Sequence, residues 1–189
     1  KRDGKDTVGF IGSIKHPIIE RYFAGYTQGL KTIDPNIKII VRYSNTIQDV
    51  FQTSLIAKNI YSEGAYIIYH VSGEAGKGII EEAIAQNISG YKCWVVGAGV
   101  DDYSKGIYTN GSVVLTSMIK KYDLVVESLL QMKANGSLEP GMAYNFSLEQ
   151  EALGIPDSNP NLDSEILNIA SHFISRIKKK EILVSEYLP

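Results

Sequence analysis

Apolar and polar positions along this chain follow two different periods in alternation. Val8-Gly9-Phe10-Ile11-Gly12 is a short, almost wholly apolar run closed by glycine, the pattern of a parallel strand buried on both faces. Residues 17–33 then place Ile18, Ile19, Tyr22, Phe23, Tyr26 and Leu30 at helical spacing, with Glu20, Arg21, Gln28 and Lys31 on the opposite side. That period predicts an amphipathic helix. Pro17 suits its first turn and Asp34-Pro35 ends it. The alternation repeats: strands over 37–43, 66–71 and 93–97, helices over 48–62 and 76–86. Four strands alternating with three helices through short connections predict an α/β fold, a parallel sheet with helices on both faces in the Rossmann-like or flavodoxin-like manner.

After Gly99 the rhythm changes. Val113-Val114-Leu115 reads as a short strand, residues 117–134 as a long helix ended by Asn135-Gly136, and residues 142–146 as a further strand. Residues 155–160 read as a loop. Asp163 caps a last helix to about residue 180, whose apolar face carries Ile166, Leu167, Ala170, Phe173, Ile174 and Ile177.

Composition narrows the functional classes. With 19 basic against 21 acidic residues, the net charge of −2 leaves no electrostatic footprint for nucleic acid or an anionic membrane surface. The one basic run, Lys178-Lys179-Lys180, sits where cations complement a helix terminus. The single cysteine, Cys93, excludes an internal disulfide, and its apolar neighbours Trp94, Val95 and Val96 mark it as a buried structural thiol. The polar lead, residues 1–6, runs straight into the first strand and reads as a cut between domains, so the lack of an export signal there carries little weight. No apolar stretch approaches the ~20 residues of a membrane span. The Asn-x-Ser sequons, such as Asn110-Gly111-Ser112, have no assigned role.

In an open α/β sheet, ligands bind beyond the carboxyl ends of the strands. The loops to read are therefore 12–16, 44–47, 72–78 and 97–102. The third holds Gly73, Glu74, Gly76 and Gly78 between a strand and a helix. Its bare backbone N–H groups can meet a ligand at a helix N-terminus, although a plain strand–helix turn has the same spacing, and neither a phosphate-loop nor a dinucleotide fingerprint is present. Asp101 follows the fourth strand, where a carboxylate can accept two hydroxyl hydrogen bonds, as from a vicinal diol; the alternative is a turn-forming Asp-Asp pair. His16, His70 and His172 lack metal-ligand spacing, His70 reads as a satisfied core residue, and no serine stands in a nucleophile elbow. No cofactor, metal or catalysis is expected.

These loops carry a family resemblance. The succession Val8-Gly9-Phe10-Ile11-Gly12, Tyr22-Phe23-Ala24-Gly25-Tyr26-Thr27-Gln28-Gly29 and Asp34-Pro35-Asn36-Ile37-Lys38 resembles that of the basic membrane lipoprotein family. So do Gly64-Ala65-Tyr66-Ile67-Ile68, the 71–78 loop, Gly99-Val100-Asp101, Val114-Leu115-Thr116-Ser117-Met118-Ile119-Lys120 and the tail from Ile177 to Val184. The match is collinear from Val8 to about Val184.

The resemblance implies a type I periplasmic-binding-protein lobe that captures a nucleoside-like solute for an ABC permease, outside the cytoplasm and lipid-anchored to the membrane. By it, Gly73 offers backbone hydrogen bonds, Asp101 holds ribose hydroxyls, and Lys120, at the start of the long helix, reaches the ligand or Asp101. Glu74 belongs to the same loop. The family's base-stacking aromatic falls at Ile47, which gives apolar contact without π-stacking. Of the family's GVDxDQ, only Asp101 carries over, since Asp102-Tyr103-Ser104 follow. The resemblance also implies an N-terminal lobe before residue 1. Residues 1–116 are then the ligand-binding lobe, the helix within 117–136 packs on the other lobe through Leu124, Val125 and Leu129, and residues 137–189 return to complete the first. The rival readings are a ligand-sensing domain of a transcription regulator on the same scaffold and a small flavodoxin-like enzyme.

Overall fold

The computed structural model describes residues 6–109 and 111–188; the polar lead up to Lys5, together with Asn110, lies outside them. Six strands form one sheet in the order β2-β1-β3-β4-β7-β8. The strands are β1 (Thr7–Gly12), β2 (Lys38–Tyr43), β3 (Ile67–Val71), β4 (Trp94–Gly99), β7 (Val114–Lys120) and β8 (Leu153–Gly154). The pairs β1–β2, β1–β3, β3–β4 and β4–β7 are parallel, and β8 closes the edge antiparallel to β7. A small hairpin, β5 (Ile107–Tyr108) with β6 (Gly111–Ser112), lies outside the sheet. The helices are α1 (Pro17–Ile33), α2 (Val50–Ser62), α3 (Gly76–Ile88), α4 (Tyr122–Ala134) and α5 (Ser164–Lys178).

Both faces of the sheet are covered, as the apolar runs require. Successive residues of a strand point to opposite faces. Ile11, Ile40, Ile68 and Val95 meet Ala57 and Ile60 of α2 and Ile79, Ile80 and Ala83 of α3 in the main core. On the other face Phe10, wholly buried, stacks with Phe23, Tyr26 and Tyr69 at ring-centroid distances of 5.0, 6.3 and 5.8 Å. Gly78 lets α2 and α3 cross at backbone distance: a Cβ there would stand 1.9 Å from the Val50 carbonyl oxygen. Cys93 is buried, as its neighbours imply.

The caps are local and readable. His16 Nδ1 accepts from the Ile18 N–H at 3.3 Å, Asp49 from Gln52 at 2.9 Å and Asp163 from Ile166 at 2.9 Å, each relieving an orphan amide of a first turn.

Two elements differ from the sequence reading. Residues 117–120 continue β7 instead of opening a helix, because Ser117, Met118 and Ile119 pair with Gly97, Ala98 and Gly99 of β4; α4 starts only at Tyr122. Residues 142–146 are not a strand. Met142 is exposed, and the sheet edge is taken by Leu153 and Gly154, paired with Lys120 and Ile119.

No residue of α4 or α5 is fully buried. On α4, Leu124, Val125 and Leu129 are half-buried, and the exposed apolar stripe is Tyr122, Val126 and Leu130. Among the described residues no helix is long and apolar enough to cross a membrane.

Candidate functional site

Parallel pairing of β1, β2, β3, β4 and β7 brings all five carboxyl ends to one edge, and with them every candidate position. Ile47 follows β2, Gly73 and Glu74 follow β3, Asp101 follows β4, and Lys120 is the last residue of β7. Since β3, β4 and β7 are neighbours spaced about 4.8 Å apart, Gly73, Asp101 and Lys120 stand at three consecutive strand ends. Ile47 reaches across β1 to join them. Its carbonyl accepts from the Ala75 N–H at 2.9 Å, and a Cβ on Gly73 would touch its side chain at 3.5 Å.

The loop after β3 coils into a 3₁₀ turn, Gly73–Ala75, that runs directly into α3. Gly73 has φ +58, in the left-handed region that glycine enters without strain. Ile47 is 56% exposed, an apolar side chain set on the open edge.

The remaining candidates sit less simply. Asp101 is exposed, and its Oδ1 accepts from the Tyr103 N–H at 3.0 Å. That is the turn-forming arrangement; it occupies one oxygen and leaves the other toward solvent. Lys120 ends a strand, contrary to its expected place in the first turn of a helix. Half-buried, it lies over the Tyr22 ring with Nζ 5.7 Å from the centroid. Its pKa is raised, first by hydrogen bonding to Tyr22, against the opposing effect of burial. Among the described residues it makes no ion pair with Asp101.

The buried carboxylate lies one residue away from the expected one. Asp102, not Asp101, is buried, and with it His70 of β3. A pocket of about 300 Å³ opens beside them, between the start of α3 and the turn after β4, lined also by Gly73, Glu74, Lys77, Glu81 and Lys105. The Lys105 Nζ is 2.7 Å from Asp102 Oδ1, and His70 Nε2 is 3.9 Å from Asp102 Oδ2. Neither ring nitrogen of His70 has a hydrogen-bond partner among the described residues, so the expectation of a satisfied core histidine is corrected. Burial pushes its pKa down to about 4, partly countered by Asp102 and reinforced by Lys105. The local sequence carried one signal for this cluster: a histidine inside a β-run, two residues before the glycine loop. The Asp-Asp pair alone did not tell which carboxylate turns inward.

His172 is exposed on α5 and His16 caps α1, so neither joins the site. No group of histidine, cysteine and carboxylate side chains among the described residues could hold a metal ion.

Comparison with known proteins places this chain in a family. The profile described as "ABC transporter substrate-binding protein PnrA-like" matches residues 4–187. Basic membrane protein B of Borreliella burgdorferi is 32% identical over 97% of this chain and 51% of its own length. The CD4+ T-cell-stimulating antigen of Listeria monocytogenes is 31% identical over 95% of this chain and 52% of its own. An ABC transporter nucleoside-binding protein of Lactococcus lactis is 29% identical over 84% and 47%. The chain thus spans about half the length of the curated relatives it matches.

Solved structures agree on the fold. An ABC transporter solute-binding protein of Conexibacter woesei superposes with a TM-score of 0.75 at 14% identity, covering 98% of this chain and 59% of that one. A transcriptional activator of the comK gene from Bacillus halodurans gives 0.78 at 18% identity, covering 96% and 59%. At these identities the likeness concerns the α/β scaffold alone.

Proposed function

The chain belongs to the family of PnrA-like ABC transporter substrate-binding proteins, and on that premise we propose that it is the ligand-binding lobe of a nucleoside-capturing component of an ABC uptake system. The observation that carries the reading is the convergence of Ile47, Gly73, Glu74, Asp101 and Lys120 on one edge of the parallel sheet. That edge is where open α/β sheets bind ligands.

In this reading Gly73 presents backbone groups to the ligand and the free oxygen of Asp101 takes ribose hydroxyls. Lys120 supplies a cationic donor, and Ile47 gives an apolar seat for the base. A second lobe closes over this edge by hinge motion, excluding water from the polar contacts. The exposed stripe Tyr122, Val126 and Leu130 on α4 faces that lobe, since unpartnered apolar surface marks an interaction site. The loaded protein hands its ligand to a membrane permease. It works outside the cytoplasm on a lipid anchor and performs no covalent chemistry. The name of the Lactococcus lactis relative supports the choice of nucleosides.

Calorimetric titration of the protein, as its cell produces it, with purine and pyrimidine nucleosides and with free sugars tests this. Saturable heat with a nucleoside, weakened by Asp101→Ala and by Lys120→Ala by about 1–3 kcal/mol each, is the expected result. Binding of an unrelated solute, with no heat from any nucleoside, removes the nucleoside assignment. Unchanged affinity in both variants removes the site.

A further inference from the structure

We propose that the buried side chains of His70 and Asp102, with Lys105 holding the carboxylate from the solvent side, form a clamp that ties the turn carrying Asp101 to the glycine loop carrying Gly73 and Glu74, and so sets the spacing at which the two loops meet a ligand. The ligand part of this inference rests on the function proposed above.

Asp102 is held from three directions. Its backbone N–H donates to Ser117 Oγ of β7 at 3.1 Å, one carboxylate oxygen pairs with Lys105 at 2.7 Å, and the other faces His70 Nε2 at 3.9 Å. The side chains of His70 and Asp102 are each only 5% exposed. Two glycines make room for them. A Cβ at Gly97 would stand 2.6 Å from Asp102 Oδ2 and 2.7 Å from Ser117 Oγ, and a Cβ at Gly76 would stand 2.3 Å from His70 Cε1.

The imidazole is therefore wedged against the bare backbone at the start of α3, directly after the turn Gly73–Ala75. A shift of Asp102 is passed through the ring to Gly76, and from Gly76 to Gly73. Close-packed interiors transmit such displacements instead of absorbing them. A carboxylate taken out of water beside a half-exposed lysine contributes little net stability compared with an apolar filling, so stability alone does not account for Asp102 standing between these two loops. Fixing their relative position does. Glu74, Lys77 and Glu81 complete the charged rim of the pocket, with Lys77 and Glu81 paired to each other at 3.6 Å.

The test combines amide hydrogen exchange with titration by adenosine and uridine, on the protein as its cell produces it. The variants are Asp102→Asn, Lys105→Met and Lys105→Arg. Expected for the first two is exchange about tenfold faster at residues 73–76 and 101–106 together, with β1 and α2 unaffected. Affinity for whichever nucleoside binds falls about tenfold. Lys105→Arg restores both, which loss of packing alone would not produce. Lys105 is half-exposed, so its variants fold even where Asp102→Asn does not. Exchange confined to the mutated turn, or affinity unchanged, overturns the clamp. If the unaltered protein binds neither nucleoside, the nucleoside assignment fails separately, and exchange at residues 73–76 alone decides the clamp.

Discussion

The buried histidine at position 70 makes the protein's stability depend on acid in a way that one substitution should erase. His70 has an ordinary pKa of 6.5 in the unfolded chain and about 4 in the folded one, where burial opposes its charged form. Between those values the unfolded state binds one proton more than the folded state, so stability falls as pH falls. The contribution is fully present above pH 6.5, is lost progressively down to about 4, and changes no further below that. At 1.36 kcal/mol per pH unit, the whole window is worth ~3 kcal/mol. The part from pH 6.5 to 5, where few carboxylates titrate, is worth ~2 kcal/mol.

Urea unfolding at pH 7.5, 6.5, 5.5 and 5.0, on the unaltered protein and on His70→Gln, reads this directly. The substitution shifts absolute stability through packing, but only the difference in pH dependence bears on the argument. The unaltered protein should lose ~2 kcal/mol more than the variant between pH 6.5 and 5. Parallel curves for the two would refute the placement of an uncharged imidazole in this cluster. So would a variant with the steeper dependence.

Three further outcomes follow from contacts already described. Gly78→Ala puts a Cβ 1.9 Å from the Val50 carbonyl oxygen; since backbone must move, it should cost about 3 kcal/mol, seen as a lower urea midpoint with an unchanged slope. Phe10→Ala removes a wholly buried ring from the cluster with Phe23, Tyr26 and Tyr69 and should cost about 3–5 kcal/mol by the same measurement. Ile47→Tyr, at a half-exposed edge position, should leave the unfolding midpoint nearly unchanged and tighten purine nucleoside binding by about 1 kcal/mol through stacking. Equal affinity by calorimetry would mean that Ile47 does not face the base.

Much of the scaffold is legible along the chain because its causes are local. Buried parallel strands need uninterrupted apolar runs, as in Val8 to Gly12, and helices that cover them need one apolar stripe, as in Ile18 to Leu30. Caps and stops act within a few residues, so Pro17 and Asp34-Pro35 bound the first helix and Asp163 marks the start of the last, whereas the caps His16 and Asp49 were found only in the structure. Parallel connectivity then sends the loops after each strand to one edge. Ile47, Gly73, Glu74 and Asp101 could therefore be brought together before any coordinates.

Partners distant in sequence decided the rest. Lys120 belongs to a strand because β4 supplies a ladder for Ser117 to Ile119, overriding a stretch that locally suits a helix. Residues 142–146 remain irregular because Leu153 and Gly154 take the free edge of β7. Nothing in the Asp101-Asp102 pair tells which carboxylate faces water. The Ser117 hydroxyl, the Lys105 ammonium and the space above Gly97 draw Asp102 inward, toward an imidazole from another strand. A hydrophobic period states that a residue is covered. Which atoms cover it, and so where a buried charge can be held, arises only when strands separated along the chain close into one sheet.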